Sequence, residues 1–315
     1  MGRQEEKFTL SPCRLVTLSP NLRAALPRLA LAFGVTSASM SAIFVRWADA
    51  PGAVNGFYRM ATAALLMTIP LVVQLTRRSS SQAMIRELRA PRSAWLAAFA
   101  GMFFAINLAL WNTGALVTLA ANAMLLGNTS VLWVPLATWL VFKRRLRPMF
   151  WGGLALALLG AIVILGQDLL LHPAFGVGDL FALSGSFVYS AYLLIMERVR
   201  AKLSTLIAWW ISTAASALTL FALALIFQQP LTGYTITTYA IFVATALIVQ
   251  MSGFLSLSYA LGHLPASLVS SSLLAQPVIS AFLAIPLLGQ SVGAVQAIGG
   301  ALVLAGIFIV HKSKG

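Results

Sequence analysis

Carboxylates are scarce in this chain: seven Asp and Glu stand in 315 residues, and none falls in the interior of an apolar stretch. That leaves no buried acid–base pair for membrane-embedded chemistry, which needs a base, nucleophile or metal close to its substrate. Cysteine is scarcer still. The single Cys13 excludes an intrachain disulfide and a thiol metal cluster. His172, His263 and His311 lie in different loops, none with Cys, Asp or Glu at ligand spacing. With no glycine-rich phosphate loop and no serine elbow, the chain is expected to be no enzyme and to hold no cofactor or metal. Charge as a whole is thin: 9% of residues are charged, against about 25% in soluble domains. Residues 1–28 mix Glu5 and Glu6 with bases and carry Pro12, Pro20 and Pro27, so they lack the apolar core of a cleavable leader. Glu6 stands where myristoylation needs Ser or Thr.

What the chain has in excess is apolar sequence. Hydrophobic residues make up 60% of it, and mean hydropathy is +0.90. They gather in ten stretches, 29–47, 53–75, 94–112, 118–142, 149–166, 179–196, 203–227, 238–260, 266–286 and 292–310. Each is near the ~20 residues that carry a helix across a bilayer. Of 21 Lys and Arg, all but Arg46 and Arg59 fall before the first stretch or after the second, fourth, sixth and tenth. Cytoplasmic loops retain Lys and Arg, so this alternation places both termini in the cytoplasm. The formal charge of +14 is spread over five loops and follows from orientation. It is not a nucleic-acid surface, though it suits anionic lipid headgroups.

The ten stretches divide into two fives. An offset of about 148 residues brings Trp111-(x2)-Gly114 onto Tyr259-(x2)-Gly262, and Leu125-Leu126-Gly127-Asn128 onto Leu273-Leu274-Ala275-Gln276. Ser37-(x3)-Ser41-Ala42 falls on Ser186-(x3)-Ser190-Ala191, and Gly153-(x6)-Gly160 on Gly299-(x6)-Gly306. A unit with an odd number of crossings must re-enter from the opposite side when duplicated. Inverted repeats of this kind are a transporter architecture with the site between the halves. The expected organisation is a tail at 1–28, five-helix repeats at 29–166 and 179–310, and a second tail at 311–315. The fold class is an all-α integral membrane protein of ten helices in a 5+5 inverted repeat.

Ala260-Leu261, Pro265-Ala266, Leu273-Leu274, Pro277, Leu287-Leu288-Gly289-Gln290, Gly299-Gly300 and Gly306 punctuate the end of the second half. This pattern resembles the repeat of the drug/metabolite transporter superfamily, EamA type, over about 280 residues of the chain. Two departures mark a divergent branch. The family's Gly-Glu pair is Gly289-Gln290 in the second half and Phe142-Lys143 in the first, and Pro277 is matched by Thr129. The resemblance implies a bundle that exports small metabolites, with stretches 1–4 and 6–9 around a central cavity and 5 and 10 at the periphery. The acid-free, aromatic-rich interior looks most like the branch exporting aromatic and other neutral amino acids (YddG-like).

Ion-coupled pumps commonly keep an intramembrane carboxylate; its absence here points to facilitated transport or exchange. Arg59 is the one charge inside a stretch, and Asn55, Arg59 and Thr62 share a helical face at i, i+4 and i+7. Arg59 either receives a substrate carboxylate or snorkels outward and pairs with Asp49. Further cavity candidates are Ser37, Ser41, Asn107, Trp111, Asn122, Asn128, Ser186, Tyr189, Ser256, Tyr259, Ser270 and Gln276. Each has a plain alternative as an interhelical packing or hydrogen-bond residue. The Gly127-Asn128-Thr129-Ser130 run is expected to loosen the fourth helix. Trp47, Trp95 and Trp151, near helix ends, read as interface anchors. Gly153, Ala157 and Ala161, and separately Gly293, Ala297, Ala301 and Ala305, recur every four residues as close-packing stripes within the molecule or at a homodimer seam. The reading is a secondary transporter of small amphipathic metabolites, amino acids foremost, in a bacterial-type inner membrane. Its partners are a small-molecule substrate and the bilayer, with no nucleic acid, as monomer or homodimer. The competing classes are a channel or lipid scramblase and, further off, a membrane enzyme.

Overall fold

In hydrocarbon every backbone N–H and C=O must be satisfied within its own segment, which leaves helices for apolar stretches of this length. The structure, a computed structural model, describes residues 20–76, 87, 91–118, 120–171, 176–288 and 293–313. Cys13, Arg77, Arg78, His172 and the Gly289-Gln290 pair lie outside the described residues. Among the described residues there is no strand. The first half holds α1 (Pro20–Ser39), α2 (Ser41–Ala48), α3 (Gly52–Thr76), α4 (Pro91–Val117), α5 (Ala120–Gly127), α6 (Ser130–Leu140) and α7 (Pro148–Leu171). The second holds α8 (Val177–Arg200), α9 (Thr205–Ile226), α10 (Ile236–Thr245), a π-helical segment (Ala246–Phe254), α11 (Leu255–Leu261), α12 (Ala266–Ser272), α13 (Ala275–Leu288) and α14 (Ala294–Lys312).

Among the described residues, seven helical stretches are long and apolar enough to cross a membrane, and three shorter ones, Leu125–Leu140, Pro148–Ile164 and Ala266–Ser280, join them. This is a multi-pass membrane protein. A wide band of large apolar side chains faces outward, Leu65, Trp95, Leu218 and Ile236 among them. Such a band is stable against lipid tails and not against water. Helix α1 begins at Pro20, so the last part of the segment expected to be tail is helical.

Packing repeats about a two-fold pattern. Helix α4 packs on α8 as the π segment and α11 pack on α1; α3 packs on α9, α6 on α12, and α7 on α14. Equivalent helices of the two halves run against each other. Gly153 lies beside Gly306 and Gly160 beside Gly299, so α7 and α14 are antiparallel. Trp210 donates to Ala64 O and Thr68 Oγ1 at 3.2 and 3.0 Å, while Gly56 meets Leu220, so α3 and α9 are antiparallel too. Opposed directions are what inversion of one half against the other requires.

The α7–α14 seam takes up one of the two small-residue stripes. Gly153, Ala157 and Ala161 are buried in it, but the facing residues are Gly299, Val303, Gly306 and Val310, whereas Gly293, Ala297, Ala301 and Ala305 are exposed. A β-carbon at Gly160 would stand 2.6 Å from Gly299 O and Val303 N, and one at Gly306 would stand 2.4 Å from Ala157 N. Lipid tails give no hydrophobic drive between helices, so such close backbone contact carries the association. The main core, with Met60, Phe104, Met196, Leu220 and Leu257, draws on both halves.

Candidate functional site

Three spans are interrupted at mid-length, each for a readable local reason. Between α12 and α13, Pro277 has no N–H for the carbonyl of Leu273, which accepts from Gln276 N at 2.9 Å instead. Between α5 and α6, the Thr129 hydroxyl donates back to Leu126 O at 2.6 Å, and the turn closes through Thr129 N to Leu126 O and Val131 N to Asn128 O. Between α1 and α2, Met40 N turns to Ser37 O at 3.2 Å, and the Ser280 hydroxyl from α13 donates to Ser39 O at 2.8 Å. The fourth irregularity is the π segment, whose i→i+5 turns carry Gln250 and Phe254.

These points converge on one cavity of about 80 Å³, lined by Ser39 and Ser41 at the first break, Arg59 of α3, Phe104, Asn107 and Trp111 of α4, Asn128 and Ser130 at the second break, Tyr189 of α8, Phe254 of the π segment, and Gln276 at the third. Pockets for metabolites run to roughly 300 Å³ and above, so this space is small for one. The lining must part before a metabolite enters. Tyr189 rests on Tyr192, rings 5.6 Å apart and nearly parallel, and Phe104 meets Phe254 at 4.9 Å. Gly127 is where Trp111 enters: a β-carbon there would stand 2.5 Å from Trp111 Nε1.

Arg59 is 1% exposed. Its Nε donates to Gln250 Oε1 at 3.2 Å and its Nη1 to Ser41 Oγ at 3.0 Å. The guanidinium lies 5.2 Å from the centroid of Phe254, and Nη2 has no acceptor. Neither snorkelling nor a pair with Asp49 occurs. Asp49 is exposed at the end of α2, and the described ion pair is Arg144 with Glu197.

A model of the EamA-like transporter family matches residues 27–166 and 176–311. The chain belongs to the EamA-like transporter family. No curated protein matches this transporter. A solved structure titled only as the crystal structure of a protein matches it with a TM-score of 0.71, covering 90% of this chain and 95% of that one at 20% identity. At that identity the likeness is one of fold.

Seven of the residues singled out from sequence meet in the transporter's cavity: Ser41, Arg59, Asn107, Trp111, Asn128, Tyr189 and Gln276. Others are placed elsewhere. Ser37 is buried where α1 meets Gly253, 3.5 Å from Ser252 Oγ. Asn55 is buried one turn before Arg59, outside the lining, with its Nδ2 lacking an acceptor. Ser186 lies buried 2.6 Å from Thr129 Oγ1, joining α8 to the second break. Ser256 donates to Ser252 O and Ser270 to Ser267 O, both within their own helical stretch. Tyr259 lies against His263 with ring centroids 4.5 Å apart and planes tilted, at the end of α11. Asn122 falls in α5, and its side chain lies outside the described residues. Sequence reasoning missed Phe104, Phe254, Ser39 and Gln250. Gln250 carried a legible signal, being the one amide in the apolar stretch 238–260.

Among the described residues, no group of three His, Cys, Asp or Glu is close enough to hold a metal. What the lining offers is one cation, three amides and an aromatic wall. That set can hydrogen-bond the polar end of an amphipathic solute while rings contact its body.

Proposed function

We propose that this EamA-like protein is a carrier that exports small amphipathic metabolites, amino acids foremost and aromatic ones among them, across a bacterial-type inner membrane. It crosses the bilayer ten times with both termini inside, and its inverted halves rock to alternate access. The observation that carries this reading is the cavity between the halves, where buried Arg59 keeps Nη2 unsatisfied beside Asn107, Asn128, Gln276 and four aromatic rings. Arg59 takes the substrate carboxylate, the amides take the remaining polar groups, and the rings take the side chain. The three breaks are where the lining helices pivot, since interrupted helices bend at a fixed point. Transport proceeds down the substrate gradient or by exchange, without an intramembrane carboxylate for proton or sodium.

Counterflow tests this. Proteoliposomes preloaded with unlabelled amino acid should accumulate labelled phenylalanine saturably without an imposed ion gradient, and Arg59→Met should remove that accumulation. Sealed, correctly reconstituted liposomes that accumulate neither phenylalanine nor threonine would overturn the amino-acid reading. Substrate-insensitive leak or lipid movement in the same vesicles would favour a channel or scramblase.

A further inference from the structure

Arg59 is a buried cation whose hydrogen-bond and ring partners are all neutral: an amide oxygen, a hydroxyl and an aromatic face. A charge taken out of water is costly unless a counter-charge or full hydrogen bonding offsets it. Neither is present. No described carboxylate bridges to Arg59, and Nη2 has no acceptor. The position best placed to supply a counter-charge is 250, whose side chain already touches Nε. A glutamate there would have nearly the same shape, and the chain has glutamine.

The backbone makes that contact on purpose-built geometry. Gln250 and Phe254 both belong to the nine-residue π segment, and both meet Arg59. Wide i→i+5 turns rotate the residues of this segment relative to a straight α-helix. The segment thus delivers a neutral acceptor and a ring to a cation on α3.

We propose that Gln250 is a specificity-determining residue: by meeting Arg59 with a neutral oxygen, it leaves one positive charge unbalanced and reserves the cavity for ligands that bring their own carboxylate. This rests on the carrier reading above and narrows its substrate class. A carboxylate on an aromatic or apolar body completes the site. The matching amine sets a second cation beside the first and is rejected. Discrimination by an opposed charge of this kind is stronger than discrimination by shape alone.

The test compares phenylalanine, phenylpropionate and phenylethylamine, which share a ring and differ only in charged ends, as thermal stabilisers of the purified full chain and as counterflow substrates. The wild type takes the two acids and not the amine. Gln250→Glu supplies an internal counter-ion at constant volume, lowers affinity for both acids about tenfold or more, and admits the amine. Ser41→Asp delivers a carboxylate to Nη1 from a different helix and produces the same inversion, so the result does not depend on one variant folding. Folded variants with the wild-type acid-to-amine ratio overturn the proposal. A wild type that accepts acid and amine alike overturns it while leaving the carrier reading intact. One that takes none of the three and no amino acid in counterflow overturns the amino-acid reading on which the proposal rests.

Discussion

The two halves of this transporter interrupt the same span beside an amide, Asn128 in one and Gln276 in the other, yet they do so by different chemistry. The second half uses Pro277, which cannot donate to Leu273 O; the first uses the Thr129 hydroxyl, which bonds back to Leu126 O. Elsewhere the halves part company. The first span breaks at Met40, while its counterpart α8 runs unbroken from Val177 to Arg200, with Tyr189 where the offset places Met40. Helix α4 is α-helical throughout, but its counterpart contains the π segment. Arg59 has no charged equivalent, because the offset falls on Ile207, a core residue. Symmetry is kept at the α7–α14 seam and in the break beside Asn128 and Gln276, and is lost around Arg59, where the π segment and the break at Met40 have no counterpart. A carrier needs both: equal halves so that two conformations are comparable in energy, and unequal linings so that one solute is recognised.

The largest test of that comparison is orientation. A reporter fused after Gly166 or Gln228 should read outside and one after Arg78 inside. Same-side readings at Arg78 and Gly166 would end the inverted assignment. Next comes the seam. Gly160→Val drives a side chain into Gly299 O and should cost about 1–3 kcal/mol or more, seen as a lower melting temperature and loss of monodisperse protein. Gly152→Val on the same helix meets nothing within 4 Å, so it should leave both unchanged; equal damage from the two would show that the close approach is not what holds the seam. The smallest effect tests the two kinds of break. Thr129→Val removes one hydroxyl hydrogen bond worth about 1 kcal/mol and should slow counterflow a few-fold. Pro277→Ala lets the α-helical bond re-form and should slow it further. Pro277→Ala the milder of the two would show that the proline is not the firmer pivot.

Much of this was legible before any tertiary contact. Alternating loop charge and ten apolar stretches gave membrane insertion, and the repeat offset paired Asn128 with Gln276 across the halves. The run from Gly127 to Ser130 announced its break, because glycine, asparagine and back-bonding hydroxyls all weaken an α turn. The break at Met40 had no such announcement. The π segment was invisible as well: its sequence is an ordinary apolar run around Gln250, and i→i+5 bonding leaves no compositional mark. Tyr259 matched Trp111 in the repeat, yet Trp111 enters the cavity past Gly127 while Tyr259 turns to His263. A repeat specifies positions along the chain and leaves side-chain direction to packing.

By itself the sequence determined class, the division into halves and the isolation of Arg59, because hydropathy, loop charge and the rarity of intramembrane charge are properties of segments and not of contacts. Only the tertiary structure decided that Arg59 faces Gln250, Ser41 and Phe254 instead of Asp49. It also decided that Gly299 and Gly306 pack against α7 while Gly293 and Ala297 are exposed. Those outcomes depend on how far each helix is rotated about its axis, and in a bilayer that rotation is set by the neighbours it touches and by interfacial anchors, not by its own hydropathy.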